Sequence, residues 1–105
     1  MILDEVTRAE FANCLGDKFC LRIGPDQAVD AELTSVDTLS NHSGSSTSRE
    51  SFSLVFCVPN QAYLPQRIYQ VDHAELGVLE IFLVPIGQDP QRQGVRMEGV
   101  FNFNS

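Results

Sequence analysis

The feature that most constrains this sequence is an apolar run that fills both faces of one predicted strand. Within residues 74–87 (AELGVLEIFLVPIG), the predicted strand places Val78, Phe82 and Val84 on one face and Leu79, Ile81 and Leu83 on the other. A strand of this kind must be covered twice, once by the core of its own domain and once by something else. The strand that follows it alternates, with Val95, Met97, Phe101 and Phe103 on one side. The chain is therefore expected to end in a doubly covered strand followed by a half-buried one.

The remainder of the chain is typical of a small antiparallel β structure. From residue 18 onward apolar and polar residues alternate with a period of two, and turn residues separate the runs. We predict a mainly β fold, a small antiparallel six-stranded barrel or sandwich with one short N-terminal helix, in a single domain over residues 1–105. A bulge or the end of the strand is expected near Thr34 and Ser35, where the alternation shifts. The Ser-rich residues 40–48 are predicted to form a flexible loop.

The helix signal lies at the start of the chain. Thr7 and Glu10 form a capping box, and Gly16 supplies a stop, which predicts a helix of about eight residues. A helix this short must dock to be stable, so we expect its Phe11 and Leu15 face to be core. The predicted core consists of Phe11, Leu15, Phe19, Leu21, Leu33, Phe52, Leu54, Phe56, Leu79, Ile81, Leu83 and Phe101. Truncation of Phe82 or Phe101 to alanine is expected to lower the free energy of unfolding by about 3–5 kcal/mol if these rings are fully buried.

The charge balance argues against two classes of partner. The formal net charge is −7, and the seven basic residues are scattered without forming a run. Nucleic acids and anionic membranes are bound through clustered Lys and Arg, so neither is expected as a partner. The acidic N-terminus does not resemble a signal peptide, and no apolar run approaches the length of a membrane helix. These features predict a cytoplasmic protein.

Few residues in this sequence are of the types that act in catalysis or bind metal ions. The three cysteines, Cys14, Cys20 and Cys57, show neither a CxxC motif nor metal-ligand spacing, and they predict buried free thiols. His42 lies in the Ser-rich loop, and His73 lies in a turn that Asp72 is expected to stabilise. A Cys57 nucleophile with His73 as its base is conceivable but unfavourable for a thiol in mid-strand. We predict no catalytic residue, no metal site and no cofactor, and hence no enzyme.

Five segments carry a resemblance to a known family. They are FSLVF at 52–56, LPQ at 64–66 with Tyr69, His73 with LG at 76–77, FLVPIG at 82–87 and EGVFN at 98–102. Together these segments resemble a family of small uncharacterised bacterial proteins described as a domain of unknown function. The resemblance covers most of the chain and implies one module, with no activity, cofactor or catalytic residue attached to it.

The doubly apolar strand makes a non-catalytic protein-interaction or assembly module the leading hypothesis. Small β-barrels with one helix also occur in phage-tail-like particles, which is an analogy of fold alone. The alternatives are a small-molecule-binding barrel, with Phe56, Tyr69, Phe82 and Phe101 lining a cavity, and a thiol or metal-dependent enzyme. A filled lumen would favour assembly over binding.

The predicted partner is a protein, with a homodimer favoured because two-fold contacts are the commonest oligomer form. Glu80 shares the outer row of the apolar strand, so a buried position would require an Arg opposite it, either Arg67 or Arg96. The candidate interface or pocket residues are Tyr63, Leu64, Tyr69, His73, Val78, Glu80, Phe82 and Val84.

Overall fold

The computed structural model describes residues 8–38, 52–59 and 64–101, and these residues form one helix and six strands. The elements are α1 (Arg8–Ala12), β1 (Lys18–Gly24), β2 (Gln27–Thr38), β3 (Phe52–Pro59), β4 (Arg67–His73), β5 (Gly77–Gln88) and β6 (Gly94–Phe101). The predicted Thr7 cap, the loop at 40–48 with His42, the break after Pro59, Tyr63 and Phe103 lie outside the described residues. No described helix has the length and apolar character needed to cross a membrane.

The six strands form a closed antiparallel barrel in the order β1-β2-β3-β6-β5-β4, which confirms the predicted fold class and selects barrel over sandwich. The barrel consists of two three-stranded meanders, β1–β2–β3 and β4–β5–β6, which meet at two seams. One seam is long, with eight residue pairs between β3 and β6. The other, between β1 and β4, contains only the pairs Cys20–Asp72 and Leu21–Val71.

Side chains reinforce the short seam. An ion pair joins Arg22 to Asp72, with the guanidinium nitrogen 3.3 Å from the carboxylate oxygen. Arg67 donates to the carbonyl oxygen of Ile23 on the other strand at 3.4 Å. Beside these contacts, the His73 ring packs on the Phe19 ring with their centroids 4.4 Å apart. Three side-chain contacts therefore supplement a backbone ladder of only two residue pairs.

The interior of the barrel is filled by the inward rows of all six strands, as their alternation predicts. The Phe19 and Phe56 rings meet edge to face at 5.1 Å, and the Phe52 and Phe101 rings stack at 4.8 Å. Of the two alternatives predicted near Thr34 and Ser35, the structure shows a bulge and not the end of the strand, because the β2–β3 register shifts between Leu33 and Ser35 while β2 continues to Thr38. The buried hydrophobic residues are Phe11, Cys14, Phe19, Leu21, Ala31, Leu33, Phe52, Leu54, Phe56, Val58, Leu64, Tyr69, Val71, Leu76, Leu79, Ile81, Leu83, Met97 and Phe101.

The helix covers one end of the barrel through a single ring. Phe11 packs against Phe52 and Phe101 at centroid distances of 5.9 and 5.8 Å. The prediction that Leu15 shares this buried face is wrong, since its side chain is 54% exposed. After Ala12 the backbone tightens into hydrogen bonds between residues three apart, which rotates Leu15 away from Phe11. Gly16 adopts a φ of +90°, but it lies four residues beyond Ala12, so it ends the turn that follows the helix and not, as was predicted, the helix itself.

Phe82, whose large truncation cost was predicted only for a buried ring, lies outside the core. Leu79, Ile81 and Leu83 fill the barrel as predicted, but the opposite row of β5 points outward, and the Phe82 side chain is 51% exposed. Closing the sheet buries one face of β5 completely. Within the described residues, no helix or loop covers the other face of this strand, so its apolar side chains contact solvent.

Candidate functional site

The exposed row of β5 belongs to an apolar surface that crosses three strands. Phe82 pairs directly with Ile68 of β4, whose side chain is 64% exposed. On its other side, Val84 pairs with Glu98 of β6, so Phe82 and Val100, two residues further along antiparallel strands, lie side by side. The Phe82 carbonyl oxygen lies 3.4 Å from where a Cβ on Gly99 would be, which supports this register. We call the surface formed by Ile68, Phe82, Val84 and Val100 the outer patch.

The ends of β5 extend the outer patch along the barrel. Val78 lies outward at 56% exposure near the β4–β5 turn, and Ile86 is exposed at the opposite end of the strand. Val55 of β3 lies half-buried beside Glu98, its cross-strand partner. Isolated exposed apolar residues are normal on a protein surface, but a contiguous group on adjacent strands marks an interaction surface.

The predicted interface residues divide between the outside and the inside of the barrel. Val78, Glu80, Phe82 and Val84 share the outer face of β5, as the alternation requires. Leu64 and Tyr69 are buried, and the Tyr69 hydroxyl donates a hydrogen bond to the Pro65 carbonyl oxygen. The Arg67 guanidinium covers the Tyr69 ring at 4.8 Å from its centroid. Leu64 and Tyr69 therefore close one end of the barrel and do not join the outer patch.

Two members of the outer patch were missed at the level of sequence. Ile68 shares its outward row with Gln70 and Asp72, and Val100 shares its row with Arg96 and Glu98. Each is one apolar residue in an otherwise polar row, which is the only signal that the sequence offers. The pairings of β5 with β4 and β6 bring these isolated residues together around Phe82.

Glu80 does not have the Arg partner that was predicted for it. Its side chain is exposed, and within the described residues it forms no ion pair with Arg67 or Arg96. The prediction assumed that the outer row of β5 is buried. Because that row contacts water, the Glu80 carboxylate is hydrated and needs no buried partner.

The cavity proposed for a small ligand is not assembled. Phe56, Tyr69 and Phe101 are buried inside the barrel, whereas Phe82 lies on its outer wall. The three inner rings are packed among aliphatic side chains, and Phe56 contacts Phe19 directly. Phe82 therefore points away from the three other rings that were expected to line the pocket with it.

His73 lies in a cluster that the sequence did not indicate. Ligand atoms of Cys14, His73 and Glu75 lie within 4.8 Å of one another, and Asp17 lies beside them. His73 Nδ1 accepts hydrogen bonds from the backbone amides of Glu75 and Leu76, at 3.1 and 3.2 Å. Since an amide can only donate, Nδ1 carries no proton, and Nε2 of the neutral ring must carry it. That proton points to Asp17 Oδ2, 3.0 Å away.

Both ring nitrogens of His73 are thus committed within the protein, so the ring has no free lone pair for a metal ion. The ring holds the β4–β5 turn, a role that was expected of Asp72. Asp72 instead accepts hydrogen bonds from Arg22 and Gln70. Burial raises the pKa of the Cys14 thiol above its ordinary value, and the carboxylates of Asp17, Glu75 and Glu10 raise it further.

A second polar cluster surrounds Cys57 on the far side of the barrel. Asp89 caps the 89–94 loop by accepting hydrogen bonds from the amides of Gln91 and Arg92, and these bonds lower the pKa of its carboxyl. Arg92 lies 3.5 Å from both Asp89 and Glu32. Burial raises the pKa of the Cys57 thiol, and the Asp89 carboxylate adds to the effect while Arg92 opposes it. This surrounding does not favour the reactive thiolate.

Comparison with known proteins identifies a family whose function is unknown. The model of a family described as Domain of unknown function (DUF6916) matches residues 6–101. No match was found among curated proteins or among solved structures.

Proposed function

This chain belongs to that family of unknown function, and we propose that it acts as a non-catalytic interaction module whose docking surface is the outer patch. The observation that supports the proposal is the row Ile68–Phe82–Val100, which crosses three adjacent strands with every member more than half exposed. Full burial of side chains of this kind is worth about 1.5–3 kcal/mol each. The fold leaves much of that free energy unused, and a partner would recover it.

The same surface is rigid, because each member of the row lies on a strand and not on a loop. Phe82 pairs with Ile68 of β4, and two residues further along β5 the Val84–Glu98 pair joins the strand to β6. A partner that docks here would order few protein side chains, and the entropic cost of binding would be correspondingly low.

The surroundings of the candidate catalytic groups support a non-catalytic role. Nucleophilic thiols require a lowered pKa and an adjacent base, whereas the pKa values of Cys14 and Cys57 are raised. The nitrogen atoms of His73 are occupied by two backbone amides and by Asp17. We further propose the cytoplasm as the site of action, because Cys14, Cys20 and Cys57 are free thiols and such thiols persist in reducing compartments.

Site-specific photo-crosslinking tests the docking surface. Benzoylphenylalanine is introduced at position 82 and, in a matched control, at position 28, an exposed site on β2. After irradiation of cells that produce the protein, we expect a discrete crosslinked species from position 82 alone. A product at twice the chain mass would identify a second copy as the partner, and any other mass a different protein. Indistinguishable background at both positions would contradict the proposal.

A further inference from the structure

We infer that the occupant of the outer patch is a segment of another protein that presents apolar side chains flanked by Lys or Arg. This inference rests on the proposed function and adds the chemistry of the partner. Three carboxylates border the patch, and the described residues leave all three without a cationic partner. Charge complementarity and burial of apolar area therefore select the same kind of ligand.

The carboxylates lie on different sides of Phe82. Glu80 lies two residues along β5, on the same outer face. Glu98 lies on β6 between its two cross-strand partners, Val84 and Val55. Asp37 is exposed on β2 and pairs with Ser53, which in turn pairs with Val100. The apolar row thus has negative charge on three of its borders.

Of the four arginines on or beside the strands of the patch, Arg22, Arg67 and Arg92 are engaged elsewhere, whereas Arg96 is not. Arg22 pairs with Asp72, and Arg67 lies over the Tyr69 ring and donates to Ile23. Arg92 bridges Glu32 and Asp89, just beyond the end of β5. Arg96 lies two positions from Glu98 on the same outward row of β6. Among the described residues it forms no ion pair with Glu98 and its Nε is buried without a hydrogen-bond partner, while its charge lowers the pKa of Asp89.

Glu80, Glu98 and Asp37 form no ion pair or hydrogen bond to the side chains of the described residues. Their negative charge is therefore available to a ligand. A Lys or Arg beside a docked apolar side chain would form charge-assisted hydrogen bonds with these carboxylates.

A second copy of the chain fits this surface less well. Each copy carries a formal net charge of −7, so the two would repel each other at long range. Face-to-face contact would also bring the same three carboxylates of each copy toward the other, and like charges at an interface disfavour a partner. The homodimer that the sequence favoured would bury the apolar side chains of the outer patch, but the carboxylates of its two copies would repel each other. A partner with basic residues would bury the same side chains without that repulsion.

Peptide binding followed by nuclear magnetic resonance tests the inference. The probes are a short amphipathic Leu/Lys peptide and the same peptide with Glu in place of each Lys. We expect the Leu/Lys peptide to shift the resonances of Ile68, Phe82 and Val100, and the Leu/Glu peptide to leave them unchanged. Equal shifts with both peptides, or Leu/Lys shifts confined to other surfaces, would overturn the inference.

Two variants of equal net charge separate local recognition from general attraction. Glu80→Lys with Glu98→Lys, and the control Asp26→Lys with Asp30→Lys, each change the formal charge from −7 to −3. Asp26 and Asp30 are exposed and lie on the turn after β1 and on β2. We expect the first variant to weaken Leu/Lys binding about tenfold relative to the control, since it replaces two attractive contacts by repulsive ones. Equal weakening in both variants would overturn the inference.

Light scattering at several concentrations completes the test. We expect the monomer mass throughout, and a dimer that Phe82→Ala dissociates would identify a second copy as the occupant of the outer patch and overturn the inference. These failures differ from failure of the proposed function itself. In that case position 82 would give no crosslinked product at all, with any protein.

Discussion

Phe56 of β3 and Phe82 of β5 lie on opposite faces of the sheet, and their truncation to alanine should separate the core from the outer patch. Phe56 is fully buried and its ring meets that of Phe19 at 5.1 Å. Removing a buried Phe side chain costs about 3–5 kcal/mol, from lost transfer free energy and from the cavity that remains. Phe82 keeps about half of its side chain in water. Half of a full burial of about 1.5–3 kcal/mol leaves roughly 1 kcal/mol to be lost.

These losses are large relative to the total, since a domain of this size has a free energy of unfolding of about 5–15 kcal/mol. One kcal/mol shifts the Tm of a small domain by about 4–8 °C. Phe56→Ala should therefore lower the Tm by at least about 12 °C, and Phe82→Ala by about 4–8 °C. Circular dichroism melts measure both values, and urea titrations with an unchanged slope would show that the denatured state is the same.

The reasoning is refuted if Phe82→Ala destabilises the protein as much as Phe56→Ala does. That result would mean that the chain itself covers the Phe82 ring. The outer patch would then be part of the core, and the proposed docking surface would lose its central residue.

Two further predictions concern the glycines of β6 and Asp89. Gly94→Ala should destabilise the protein by roughly 3 kcal/mol, the upper end for overpacking, because its Cβ would collide with the Val58 carbonyl oxygen. Gly99→Ala should cost less, because its closest contacts would be the side chains of Ile81 and Leu83 at 3.0 and 3.1 Å, with the Phe82 carbonyl oxygen at 3.4 Å. The reverse order in urea titrations would contradict this reasoning. Asp89→Asn should make the free energy of unfolding depend less on pH in acid, because the fold lowers the pKa of the Asp89 carboxyl below its ordinary value of 3.8. The ionised Asp89 carboxylate stabilises the fold fully above pH 3.8, and this stabilisation is lost as the pH falls through the lower pKa of the folded state. Urea midpoints from pH 7 to pH 3 measure the effect, and parallel curves for both proteins would exclude it.

The sequence predicts the strands well because alternation is a local property. The inward rows of β3 and β5 were assigned correctly from period two alone, and the phase shift at Thr34 and Ser35 located the bulge. For Leu15 the sequence spacing assumed a helix that continues, whereas the helix ends at Ala12. A spacing of four residues places side chains on one face only while the helical backbone persists.

The outer patch could not be predicted to the same degree. The pattern in β5 shows two apolar rows, but whether the second row is covered depends on elements that are distant in sequence. Ile68 and Val100 become neighbours of Phe82 only through strand pairing. The contacts of His73 with Asp17 are likewise non-local, since the two residues are separated by 56 positions.

The short seam between β1 and β4 has a consequence for how the barrel folds and opens. The hairpins within each meander form from residues close in sequence, whereas the contact between Arg22 and Asp72 joins positions 50 apart. Contacts of that range form slowly because the intervening chain must be ordered first. We therefore expect β1 and β4 to meet late in folding, after the eight-pair seam between β3 and β6 has joined the two meanders.

Until that last step the sheet has two unpaired edges, and edges of this kind can pair with other chains. In the native state the same seam, with only two residue pairs, is where transient opening should be most frequent, and amide hydrogen exchange at Leu21 and Val71 would report its rate. Closure of the barrel at β1 and β4 thus protects the protein against aggregation, and the ion pair of Arg22 with Asp72 makes that protection sensitive to salt.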